Sequence, residues 1–127
     1  MFQFDSFTDR QPFGAVRKAT TIHFTAKADG AVTQASLIIM PDGRGDQTET
    51  LPMTKSPNGY TVSFAPQTAG LWFYHFELQT DEGRQRFGAV DGGFGGIGQV
   101  YPENADVNSY QLTVVNEFDP VPEWYRH

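Results

Sequence analysis

The stretch from Gly70 to Thr80, GLWFYHFELQT, limits what the chain can become more than any other segment. Side chains of an extended chain point alternately to opposite faces. Trp72, Tyr74, Phe76 and Leu78 therefore fall in one row, apolar throughout, which is the row a core takes. Leu71, Phe73, His75, Glu77 and Gln79 fall in the other, which is mixed but begins with two large apolar groups. An exposed aromatic on a strand face is either a binding platform or a contact with something that covers it. Gly70 bounds the segment on one side, and Asp81-Glu82-Gly83 on the other.

Shorter segments repeat the alternation. TTIHFTAKA places Ile22, Phe24 and Ala26 on one face, and GYTVSFAP places Tyr60, Val62 and Phe64 on one face. QASLIIM runs into Pro41-Asp42-Gly43, a strong turn signal. QTETLPMT is a polar strand, and Pro52 suits an edge position because proline donates nothing to a ladder. RQRFGAV and SYQLTVV complete the set, and no window of a dozen residues shows helical spacing with caps. About seven or eight short strands separated by glycine and proline turns predict an all-β fold, an immunoglobulin-like antiparallel sandwich. Its expected core is Ile22, Phe24, Leu37, Ile39, Val62, Phe64, Trp72, Tyr74, Phe76, Leu112 and Val114. The segment from Asp91 to Asn108 is glycine-rich and reads as a long irregular loop, the kind that is commonly functional or packed on something else.

Composition narrows the function. A chain of 127 residues suits one domain with one core. The net charge of −6 and the absence of a basic run argue against a nucleic-acid backbone or an anionic membrane as partner. Cysteine is absent, which removes disulfides, thiolate catalysis and thiolate metal sites. No apolar h-region occurs in residues 1–20, and no stretch is long enough to span a bilayer. The expected location is the bacterial cytoplasm.

Several motifs weigh little against their plainer explanations. GFGGIG matches a dinucleotide fingerprint through Gly93, Gly95 and Gly98, but no helix pattern follows to receive a pyrophosphate, so turning loop is the better reading. Arg44-Gly45-Asp46 sits in turn chemistry that needs glycine anyway. His23, His75 and His127 offer no ligand spacing, and Asp42 and Asp46 lack the oxygen density of a calcium loop. No serine stands in a nucleophile elbow, and chance pairs among fifteen acidic residues carry no signal. No catalytic residue, metal or cofactor is expected.

Three segments together resemble a known family. FDSFTDRQPFGAV, with Asp5-Ser6 ahead of Pro12 to Val16, is similar to the opening of N-terminal domains in the neopullulanase, cyclomaltodextrinase and maltogenic amylase group. GLWFYHFEL resembles the aromatic strand of those domains. GGFGGIG leading to YQLTVVNEFDPVPEWYRH resembles their final strand and the junction to a catalytic barrel. The likeness covers nearly the whole chain and is strongest at both ends.

The resemblance implies an accessory domain, residues 1–116, and a linker, residues 117–127, leading to a (β/α)₈ barrel. Such a barrel needs about 250 residues, more than this chain holds, so a deliberately trimmed piece of an α-amylase-family glycosidase is expected. Phe118, Trp124 and Tyr125 would pack against that barrel. Related domains are grouped with starch-binding modules, and several shape the substrate cleft, often across a dimer. Phe73, His75, Phe94 and Tyr101, with Trp124 and Tyr125, are the candidate sugar-binding or domain-interface residues. Two roles stay open: help in binding an α-glucan, or stabilisation and dimerisation of the parent without touching sugar. A free-standing adhesion or signalling sandwich fits the aromatic tail less well.

Overall fold

A computed structural model describes residues 2–6, 8–12, 14–43, 47–90, 98–102 and 109–115. Twelve strands are present among them: β1 (Phe2–Gln3), β2 (Arg10–Gln11), β3 (Val16–Arg17), β4 (Ile22–Ala28), β5 (Val32–Pro41), β6 (Glu49–Pro52), β7 (Thr54–Ser56), β8 (Gly59–Phe64), β9 (Gly70–Thr80), β10 (Gly83–Ala89), β11 (Gly98–Pro102) and β12 (Tyr110–Val115). They form two sheets, so the all-β sandwich expected from the alternation is the fold. The smaller sheet runs β1-β4-β8-β7, with β2 also on β4. The larger runs β11-β10-β9-β12-β3, with β5 on β9 and β6 on β5. Every pairing is antiparallel except β3 with β12.

Strand β9 organises the larger sheet. β5 pairs along one side of it, from Val32 opposite Thr80 to Pro41 opposite Trp72. The other side is shared: β10 pairs with Phe76 to Thr80, and β12 with Gly70 to Tyr74. The apolar row of β9 is the core row, with Trp72, Tyr74, Phe76 and Leu78 all buried. A bulge between Val32 and Gln34 re-phases β5, so Val32 turns inward together with Ala35, Leu37 and Ile39. The unpaired Thr33 hydroxyl donates to the Gln79 carbonyl at 3.0 Å, which occupies a group the bulge would otherwise leave open. The turn after β5 has Gly43 at φ 73°, a conformation glycine adopts without steric cost.

Between the sheets lies a continuous aromatic cluster. Phe4 meets Phe76 at 4.8 Å and Tyr110 at 5.2 Å, Phe24 meets Tyr74 at 5.2 Å, and Tyr74 stacks on Tyr110 at 5.2 Å. Nine of the eleven expected core residues are buried; Val62 and Phe64 are partly exposed and pack against the cluster. Two further parts of the structure differ from expectation. Phe2 and Phe4 of the opening segment are core residues, because β1 continues the alternation beside β4. Residues 98–102 form β11 inside the stretch expected to be loop. Pairing with β10, from Ala89↔Gly98 to Gln85↔Pro102, holds a sequence with no alternation of its own. Gly98 is required there by close approach: a Cβ would collide with the Tyr110 hydroxyl and the Phe87 ring. Gly93, Gly95, Arg44 to Asp46, and residues 116–127, including the expected linker, lie outside the described residues.

Trp72 is 5% exposed, meets Phe64 edge-on at 5.6 Å and donates its indole N–H to the Thr68 carbonyl at 3.0 Å. Replacing it by alanine removes that bond and leaves a large void. Trp72→Ala should lower stability by about 3–5 kcal/mol in urea denaturation; a loss below about 1 kcal/mol would show that the indole is not part of the core.

Candidate functional site

The mixed row of β9 faces away from the core, on the outer surface of the larger sheet. Register extends that face across five strands. Pro52, Ser36, Glu77, Arg86 and Tyr101 stand side by side on β6, β5, β9, β10 and β11. The row beside it contains Thr50, Ile38 and His75, and the next contains Met40, Phe73 and Gln111. Phe73, His75 and Tyr101, expected from sequence, therefore share one face. Phe94, Trp124 and Tyr125 lie outside the described residues.

The three described candidates differ in how much they offer a ligand. Phe73 and Tyr101 are half-buried. The Tyr101 hydroxyl donates to the Ala89 carbonyl at 2.7 Å and accepts from the Gln99 amide at 2.8 Å, which fixes the ring against β10. His75 is 8% exposed, and its neighbour Ile38 is 6% exposed. His75 Nδ1 and Arg86 Nε are both buried without a hydrogen-bond partner among the described residues. Burial pushes the His75 pKa down to about 4, and the Arg86 guanidinium adds to the shift. The imidazole is thus neutral at neutral pH, with an open nitrogen beside a cation.

Arg86 was not singled out by sequence, although a signal was available. The Asp81-Glu82 turn sets β10 against β9, and counting outward from Gly83 opposite Thr80 places Arg86 opposite Glu77. A second polar feature was also missed. Arg10 is 5% exposed, and its Nε and Nη1 have no partner among the described residues. It approaches Tyr74, whose buried hydroxyl likewise has none. Burial raises the Tyr74 phenol pKa, and Arg10 opposes the rise. Among the described residues no three histidine, aspartate or glutamate side chains stand close enough to hold a metal ion.

No protein-family model matches the chain, and no curated protein matches it. Among solved structures, it is similar to part of the apo pullulanase from Paenibacillus barengoltzii, at 20% identity and a TM-score of 0.43. That match covers 60% of this chain and 12% of the pullulanase chain. A match so partial assigns no residue a role.

A histidine that is buried neutral must charge as the protein unfolds in acid. Its folded pKa lies below its ordinary value of 6.5, so the unfolded state binds the extra proton and stability falls as pH drops from 6.5 toward about 4. His75→Gln should flatten the dependence of the urea midpoint on pH in that window. An unchanged slope would show that His75 is hydrated and titrates alike in both states.

Proposed function

We propose that this domain is a non-catalytic N-terminal module of an α-glucan-hydrolysing enzyme, helping to bind starch, maltooligosaccharide, cyclodextrin or pullulan and to shape the active site. The carrying observation is the shared outer face of the larger sheet. It sets Phe73 and Tyr101, both partly accessible, among Ser36, Glu77 and Arg86. A sugar ring has an apolar face that stacks on an aromatic side chain and a rim of hydroxyls that donate and accept hydrogen bonds. An aromatic and polar mixture on a rigid sheet suits both requirements. The sandwich agrees with the segment-by-segment resemblance to accessory domains of the neopullulanase group. In this reading the hydrolytic carboxylates belong to a barrel in the parent chain, because a (β/α)₈ enzyme places catalytic groups at the ends of its own barrel strands.

A second reading has its own observation. Phe73 stays half-buried between Met40 and Gln111 on the outer face, and an aromatic left partly accessible there suits an interface anchor as well as a sugar platform. The role would then be to seat the barrel or a second subunit, with Phe73 as an anchor.

Calorimetric titration with maltohexaose separates the two. The sugar-binding reading expects saturable binding that Phe73→Ala or Tyr101→Ala weakens about tenfold, a change of about 1.4 kcal/mol. No heat at millimolar sugar, with the fold intact by circular dichroism, leaves the structural reading. A second check concerns chemistry. The purified chain should release no reducing ends from maltotriose or pullulan, and any release that survives repurification would overturn the non-catalytic assignment.

A further inference from the structure

The hairpin from β7 to β8 turns through Ser56-Pro57-Asn58-Gly59, with Ser56 and Gly59 paired across its mouth. Serine first, proline second and glycine fourth is the residue order of a type I turn. Packing explains the glycine. Gly59 is buried, and a Cβ there would collide with the Ala26 carbonyl and the Lys27 backbone. Nothing comparable explains Asn58. Its φ is not positive, so the turn makes no use of asparagine's tolerance for left-handed backbone. Its carbonyl accepts from the Ala28 amide at 3.1 Å, a bond that any residue type could supply. The side chain is exposed, and its amide has no hydrogen-bond partner among the described residues.

An asparagine followed by glycine sets a side-chain amide carbon beside a backbone nitrogen that no following side chain shields. The Gly59 nitrogen forms a bond to Asn58 Cγ and gives up its proton. The Cγ–N bond of the side-chain amide breaks, and that nitrogen takes a proton and leaves as ammonia. A cyclic succinimide remains. Water then adds to one of its two carbonyls and breaks that carbonyl's bond to the ring nitrogen. Opening at Cγ leaves an aspartyl residue. Opening at the backbone carbonyl leaves an isoaspartyl residue, whose main chain runs through Cβ and Cγ and is longer by one methylene. Water is the sole co-reactant.

We propose that Asn58 is a site of spontaneous deamidation, gated by opening of the β7–β8 turn, and that the product loosens this edge of the smaller sheet. The gate follows from Gly59, whose pairing with Ser56 and contact with Ala26 hold the attacking nitrogen in the ladder. Opening is local, because β7 is three residues long and stands at the sheet edge, and short edge elements open far more readily than a core. The loosening follows from the product. An extra methylene displaces the Asn58 carbonyl from the Ala28 amide that it binds in the folded chain. A new carboxylate also joins Asp29 on a rim that holds one lysine, Lys27, in a chain whose net charge is already −6.

The test is to age the purified 127-residue chain in mildly alkaline buffer, folded and in urea, and to follow the tryptic peptide from Ser56 to Arg84 by mass spectrometry. Asn58 is its sole asparagine, so fragment ions place the change. The folded chain should gain the amide-to-acid mass at position 58, divided between aspartyl and isoaspartyl peptides, and the chain in urea should gain it several-fold faster. No gain in the folded chain by the time the unfolded chain has converted would overturn the site. Equal rates in the two conditions would overturn the gate. The aged folded sample should unfold at a lower urea concentration than the fresh one, whereas Asn58→Ser aged alongside should keep its midpoint and show no gain at that position. An aged sample with an unchanged midpoint would overturn the loosening.

Discussion

The stacking of Tyr74 on Tyr110, in register across β9 and β12, is the contact on which the rest of the sandwich depends. Tyr74 also meets Phe4, Phe24 and Phe76, so rings from both sheets converge on it. Tyr110 reaches Phe4 as well, and its hydroxyl donates to the Phe4 carbonyl. Aromatic pairs in edge-on and offset arrangements contribute beyond the area they bury. Because one strand supplies the centre of this cluster, the position of β9 decides where both sheet faces lie.

That centre also has a polar cost. Among the described residues the buried Tyr74 hydroxyl has no partner, and the nearby Arg10 guanidinium is itself incompletely satisfied there. Buried polar groups without bonds cost about 1–3 kcal/mol each. The same ring is in contact with Phe4, Phe24, Phe76 and Tyr110. His75 and Arg86 repeat the theme on the outer face, where each has one buried nitrogen without a partner among the described residues.

The candidate surface follows from the way β9 is shared. β10 and β12 divide one of its sides, which sends β10 outward to pair with β11 and brings β11 toward β1. The outer face therefore gathers Phe73, His75, Arg86 and Tyr101 from three strands. That arrangement is flat and aromatic, and it belongs to a rigid scaffold.

Alternation alone determined the long strands, the core row of β9 and the edge position of Pro52, because side-chain period is a local property of extended backbone. Phe73 and His75 on the non-core row were legible for the same reason. Tertiary structure decided the rest. β1 and β11 exist only because a neighbouring strand supplies hydrogen-bond partners, so two-residue and glycine-rich segments carried no periodic signal. The burial of His75 and the loss of its proton affinity follow from desolvation on the packed sheet face, with the Arg86 charge adding to it, and not from its place in the sequence. The approach of β1 to β11 across the two sheets is set by sheet packing, which local spacing cannot express.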